Sequence, residues 1–215
     1  MKQYPVYQTV HQGEGRVNWE LIPRLEAFIN PWSQGTIQKT RFMAQHDSHC
    51  LYARFEVSET SLNVERLRDH KLEVVNSDRV ELFFTANLDL KNYYCLELDP
   101  YGRVLDYAAS HYRNFDYDWR WPSNQLEVNS RLTGDGYQIE VSVGKASLNA
   151  LDLIHDNGIY MGIFRADCKG GGQKGKGPKI FDWISWVDPG TREPDFHVPS
   201  AFGRLQFLDA MPAQR

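Results

Sequence analysis

Four segments of this 215-residue chain alternate apolar and polar side chains with a period of two, and that rhythm leaves few folds open. Leu51, Ala53, Phe55 and Val57 alternate with Tyr52, Arg54 and Glu56. Val80, Leu82 and Phe84 alternate with Arg79, Glu81 and Phe83. Tyr94, Leu96 and Leu98 alternate with Tyr93, Cys95, Glu97 and Asp99, and Tyr137 to Val143 repeats the pattern. Successive strand side chains point to opposite faces, so each segment reads as a half-buried strand. Turn signals punctuate them: His46-Asp47-Ser48-His49 between Thr40–Asp47 and Cys50–Val57, Pro100-Tyr101-Gly102 before a returning strand over residues 103–108, and Gly134-Asp135-Gly136 before Tyr137. Ile159 to Asp167 reads as a further buried strand and Arg204 to Leu208 as the closing one. Helical spacing is confined to one turn at Leu25, Phe28 and Ile29 ended by Pro31, a mildly helical connection over 61–72, and a short piece over 146–153. The pattern predicts an all-β chain, and 215 residues without a visible linker or repeat predict a single domain over 1–215.

Composition narrows the partners. A net charge of −4 supplies no basic footprint for a nucleic-acid backbone. Cys50, Cys95 and Cys168 are odd in number and far apart, so they read as core thiols rather than a disulfide framework or a CxxC metal site. Residues 1–6 carry no apolar leader and no later run is long enough to span a bilayer, which gives the expectation of a cytoplasmic protein, or of a secreted or periplasmic one if a leader has been removed. The aromatic share is high, 13%, with six Trp, and such rings serve both sheet packing and stacking on ligands.

Several residues invite chemistry. Arg79 and Glu81 share one face of their strand, with Asp78 adding a third charge at its entry, an arrangement that generic strand statistics assign to solvent and that otherwise forms the polar floor of a site. If that strand pairs with the next, Glu81 and Glu97 lie on one side of a sheet, and a carboxylate pair raises glycoside hydrolysis. No hydrophobic pocket that would raise a carboxyl pKa is evident around either, which favours hydrogen bonding to a ligand over catalysis. Phe115-Asp116-Tyr117-Asp118-Trp119-Arg120-Trp121 interleaves rings with charge, as a saccharide requires, and equally suits a surface loop whose rings fold back onto the sheet. Trp183 and Trp186 have opposite strand parity, so one can enter the core while the other stays exposed. His46, Asp47 and His49 are better explained by turn chemistry than as metal ligands. Gly170 to Lys176 matches the start of a phosphate-binding loop, but Gly177 stands where Ser or Thr would hold magnesium and Pro178 where a helix would begin, so the motif fails.

The order of Trp19, Thr40-Arg41-Phe42, Leu51 to Val57, Asp78-Arg79-Val80-Glu81-Leu82-Phe83-Phe84, Tyr137-Gln138-Ile139-Glu140, Trp186 and Phe202-Gly203-Arg204-Leu205 resembles the family 9 carbohydrate-binding modules, which accompany xylanases in polysaccharide catabolism. The resemblance implies a two-sheet antiparallel β-sandwich with short peripheral helical turns. It also implies a sugar, in some members a reducing end, held between two tryptophans with its hydroxyls bonded by charged side chains, and often a structural calcium. Glu81 matches the family's strand glutamate and Trp186 the C-terminal aromatic. Val75 stands where the other ring is expected, with Trp119 or Tyr93 as substitutes, and the arginine of the following strand has no counterpart in Tyr94 to Glu97.

The reading that results is non-catalytic binding of a mono- or oligosaccharide derived from xylan or glucan, with Trp186 as platform, Glu81 and Glu97 as hydroxyl acceptors, and Tyr93, Trp119 and Trp183 as further aromatic contacts. Its alternatives are a hydrolase using Glu81 and Glu97, a scaffold whose site has decayed, and a sandwich carrying haem between a Met, such as Met43 or Met161, and one of seven histidines.

Overall fold

The computed structural model describes residues 1–9, 17–68, 70–171 and 177–211. Its strands are β1 (Gln3–Gln8), β2 (Thr40–His46), β3 (Cys50–Ser58), β4 (Arg79–Thr85), β5 (Tyr93–Leu98), β6 (Val104–Ser110), β7 (Asn114–Asp116), β8 (Leu126–Thr133), β9 (Gly136–Gly144), β10 (Gly158–Gly171), β11 (Lys179–Ser185) and β12 (Gly203–Leu208). One helix, α1 (Lys145–Ala150), and two 3₁₀ turns, Lys71–Asn76 and Pro199–Ala201, lie between them. No helix among the described residues is long and apolar enough to cross a membrane.

The strands form one curled sheet in the order β7-β6-β5-β4-β10-β12-β1-β2-β3-β9-β8, with β11 paired to the far half of the long β10. The curl makes a β-sandwich: β4, β5 and β10 face β2, β3 and β9 across a core of Phe42, Phe55, Leu82, Phe84, Ile139, Val141 and Ile163. Phe55, Leu82, Phe84, Ile139 and Val141 among them are residues that the period-two segments assign to one face. Pairing is antiparallel except at β1, which runs parallel to both β12 and β2 and so departs from a wholly antiparallel sandwich.

The β2–β3 hairpin forms with Thr40 opposite Val57 and His46 opposite Leu51. Its tip is held by Asp47, whose Oδ1 accepts from the backbone N–H of His49 and Cys50 at 2.7 Å and whose Oδ2 accepts from the Tyr52 hydroxyl at 2.8 Å, the work of a turn. Two expectations fail locally. Residues 25–29 are not helical, because Leu25 bridges Phe42 and Ile29 bridges Ser185, so sheet pairing overrides spacing that is helical by chance. Among the described residues of 61–72, only the 3₁₀ turn beginning at Lys71 is helical. Strand β8 has no counterpart in the sequence reading: its burial alternates only between half-buried and exposed, and it takes its register from β9. Most of the Gly and Lys tract, residues 172–176, lies outside the described residues.

The outer face of β4, β5 and β10 is covered as well. Phe83, Tyr93, Cys95, Leu105, Tyr107 and Phe164 form a second apolar cluster with Phe196, Ala201 and Phe202 from the segment between β11 and β12. Phe196 stacks on Phe164 at 4.0 Å between ring centroids and His197 stacks on Phe83 at 5.0 Å, which lays residues 194–199 over the sheet. All seven residues of β4 are consequently buried, so the expectation of a solvated charged face is wrong at Arg79 and Glu81.

Candidate functional site

The charges of β4 come to rest under this cover. Register places Glu81 opposite Glu97 on β5 and Phe164 on β10, and places Arg79 opposite Ala166, which in turn faces Trp183 on β11. Ala166 is small and fully buried, so the Arg79 guanidinium and the Trp183 indole meet over it, with Cζ 5.4 Å from the ring centroid and 5.3 Å from that of Phe181. Arg79 Nε lies 2.8 Å from Glu81 Oε1 and 2.6 Å from Glu97 Oε2. These contacts are ionic rather than directional, since none of the three atoms completes a hydrogen bond of acceptable angle. Arg79 Nη1 donates to the Val75 carbonyl at 2.9 Å, and the Tyr107 hydroxyl donates to Glu97 Oε1 at 2.9 Å.

Above this floor is a cavity of about 180 Å³ whose walls include Val75, Tyr107, Phe115, Tyr117, Trp183 and His197. Burial pushes the Glu81 carboxyl well above the usual carboxylate range; the adjacent Glu97 raises it further and Arg79 opposes both. The sequence shows no such pocket because the residues that dry the site, Phe164 and Phe196, come from a strand and a loop more than 80 positions from Glu81.

On the covering segment, Asp195 Oδ1 accepts from Arg113 Nη1 at 3.1 Å and from the His197 backbone N–H at 2.9 Å, and the Tyr112 hydroxyl donates to Oδ2. His197 Nδ1 sits 3.0 Å from the Tyr93 hydroxyl. Burial first, and then the charges of Arg113 and Arg79, lower the His197 pKa to about 3, against the opposing pull of Asp195. A base with a lowered folded-state pKa binds fewer protons folded than unfolded, so its stabilising share is fully present above about pH 6.5 and is lost as pH falls toward 3. The expected result is a steeper acid loss of stability in wild type than in His197→Phe. The difference in slope should reach up to about 1.4 kcal/mol per pH unit over that window, read from urea unfolding at several pH values. Equal slopes would place the imidazole outside the covered site.

The structure sorts the six sequence-derived site residues. Glu81, Glu97 and Trp183 line the cavity. Trp186 does not: it is 2% exposed, its backbone N–H donates to the Ile163 carbonyl, and its ring lies on Gly203 so closely that a Cβ there would stand 2.5 Å from the indole. Opposite parity for the two tryptophans holds: Trp183, expected as a further aromatic contact, lines the cavity, and Trp186, expected as the platform, lies in the core. Tyr93 is fully buried beneath His197, and Trp119 packs 5.0 Å from Tyr94 and 5.7 Å from Trp121 on the other side of the sheet. The aromatic stretch divides, Phe115 and Tyr117 turning to the cavity while Trp119 and Trp121 fold back. Val75 borders the cavity where a second tryptophan is expected. Arg79, Tyr107, Arg113, Asp195 and His197 were missed. Arg79 carried a signal, being two residues before Glu81 on the same face, whereas the loop residues carried none.

Met43 and Met161 lie in separate apolar clusters, Met43 with Trp19 and Ile22 and Met161 in the sandwich core. Of the carboxylates outside the cavity, Glu59, Asp78 and Asp167 are the three that bring oxygens within 4.8 Å of one another among the described residues.

A family model described as "Carbohydrate family 9 binding domain-like" matches residues 13–210. No curated protein matches the chain significantly. A solved structure of a candidate carbohydrate-binding protein from Bacteroides uniformis aligns with a TM-score of 0.69 at 18% identity, covering 96% of this chain and 99% of that one. A family 9 carbohydrate-binding module from Caldicellulosiruptor kristjanssonii, solved with glucose, aligns at 0.61 and 16% identity over 100% of this chain and 99% of its own. A module of the same family and organism, solved with cellotriose, aligns at 0.62 and 17% identity over 99% and 96%. At these identities the structural likeness speaks for the fold, and it is the family match over nearly the whole sequence that makes this chain a member of the carbohydrate family 9 binding-domain-like family.

Proposed function

We propose that the protein is a non-catalytic carbohydrate-binding domain. It takes one sugar ring, free or as the terminal unit of a glucan- or xylan-derived chain, into the cavity over β4. The observation that carries this reading is the meeting, in one cavity, of an indole face with buried charged groups: Trp183 stands beside Arg79, Glu81 and Glu97. Sugar C–H groups pack on such a ring, and hydroxyls need charged donors and acceptors to fix their orientation. A volume of about 180 Å³ is below the roughly 300–1,000 Å³ of pockets for larger ligands and suits a single ring. The relatives solved with glucose and cellotriose support the ligand class. With Val75 in place of a second tryptophan, Tyr117 and Phe115 supply the remaining aromatic wall.

The hydrolytic alternative asks Glu81 and Glu97 to flank a scissile bond. Arg79 Nε is within 2.8 Å of one carboxylate and 2.6 Å of the other, in the place a glycosidic oxygen or water would need. Recognition without cleavage is the chemistry this arrangement favours. Isothermal titration with glucose, cellobiose, xylose, xylobiose and their alditols should give dissociation constants between roughly micromolar and millimolar for at least one reducing sugar, as expected of a small interface. No reducing sugar should be released from longer chains. Absence of heat with all of them would overturn this ligand assignment, and release abolished by Glu97→Gln would restore the hydrolase.

A further inference from the structure

The family resemblance implies a structural calcium, and the cluster of Glu59, Asp78 and Asp167 is the place where the described residues could hold one. All three are buried, and carboxylate oxygen is the donor a hard divalent cation takes. Their surroundings do not fit it. Glu59 follows β3, Asp78 precedes β4 and Asp167 lies on β10, so the three join both layers at one end of the sandwich. Into their midst comes Arg165, fully buried, whose neighbour in the β10–β4 register is Val80. Its Nη2 donates to Glu59 Oε2 at 2.7 Å and stands 3.4 Å from Asp167 Oδ2, while Nη1 donates to Thr40 Oγ1 at 3.1 Å and to the Gln38 carbonyl at 3.3 Å. Lys169 Nζ adds a second cation 2.7 Å from Asp167 Oδ2.

The oxygens are also spoken for. Asp78 accepts from the backbone N–H of Cys168 on Oδ1 and of Asn63 on Oδ2, each at 2.6 Å. Glu59 Oε1 accepts from the Ser61 backbone N–H at 2.9 Å and from Gln38 Nε2 at 3.3 Å. The orphaned buried atoms here are the Arg165 Nε–H, a donor that no cation can satisfy, and the Tyr137 hydroxyl, which burial holds in its neutral form. A divalent ion would have to enter against two positive side chains already in contact with the carboxylates it needs.

We propose that Arg165, seconded by Lys169, takes the place of a divalent cation in this cluster, so that the sandwich of this family member is closed by its own guanidinium and needs no calcium. The guanidinium joins β10 to the start of β2 and the end of β3, the linkage that a metal between Glu59 and Asp167 would otherwise make. This reading is independent of what the cavity binds.

Thermal unfolding of the full chain with chelator and then with millimolar calcium tests it. The wild-type midpoint should move by less than about 1 °C between the two, and calorimetric titration of calcium should give no heat. A resident site saturated to a hundred times its dissociation constant would move a chain of this size by on the order of 5–10 °C, and a shift of that size in wild type overturns the proposal. Arg165→Gln removes the charge and leaves an oxygen donor in its place; its midpoint should fall on the order of 10 °C in chelator and regain about half of that with calcium. If Arg165→Gln does not fold in chelator, the yield of folded protein on refolding with and without calcium is read instead. A variant that calcium leaves unchanged would also overturn the proposal, since the guanidinium would then not stand in a cation's place.

Discussion

Trp186→Ala is expected to lower folding stability by about 3–5 kcal/mol, the cost of deleting a fully buried large aromatic, while Trp183→Ala is expected to leave stability within about 1 kcal/mol and to weaken sugar binding severely. The two indoles lie three residues apart. Trp186 fills the sandwich core against Gly203 and does not line the cavity, whereas Trp183 forms a cavity wall with Arg79 stacked on it. An interface tryptophan at the centre of a small site is worth about 2 kcal/mol or more, so the affinity of Trp183→Ala for glucose should fall by roughly 30-fold, to the edge of detection. Urea unfolding and isothermal titration on both variants check this. The reverse pattern, with affinity lost in a stable Trp186→Ala, would show that the ring in the core is the ligand platform.

A comparably large effect is expected at Arg79. Its Nε stands between the carboxylates of Glu81 and Glu97, and all three side chains are nearly inaccessible. Arg79→Met should therefore cost about 3–5 kcal/mol, because two buried acids lose their shared counter-charge, and much of that cost is a penalty left on the partners rather than the worth of the ion pair. Adding Glu81→Gln should return part of it, since removing one stranded acid relieves the burial penalty that chiefly raises its pKa and the repulsion from Glu97 that adds to it. Stability by urea unfolding across the double-mutant cycle checks the sign: the double variant must be more stable than Arg79→Met alone. Additive losses would mean that the guanidinium and the Glu81 carboxylate do not interact. Sugar binding should be absent in both, as the floor of the cavity is altered in each.

The strands were largely legible. Period-two alternation identified the core side chains of β3, β4, β5 and β9, and turn residues placed the hairpins, because burial on one face of a pleated strand forces apolar residues onto alternate positions. β8 was invisible for the converse reason: both of its faces are partly exposed, so no selection for burial patterns it. Helical spacing at Leu25, Phe28 and Ile29 misled because three apolar residues suit a helix face and a loop bridged to the sheet at both ends equally well.

Of the site, the sequence by itself determined the parity of its members. Arg79 and Glu81 had to share a face, Glu97 had to join them once β4 and β5 paired, and Trp183 had to oppose Trp186. Tertiary structure alone decided which parity met solvent, core or cavity. Phe196 and His197, delivered from the segment between β11 and β12, cover the face on which alternation predicts solvated charge, and that cover makes Arg79, Glu81 and Glu97 a buried floor and raises the Glu81 pKa. The same docking gives Trp183 the cavity and leaves Trp186 the core. Alternation records that two faces differ; what lies against each is set by contacts between residues distant in the chain, and those become fixed only when the sheet curls and its outer layer closes.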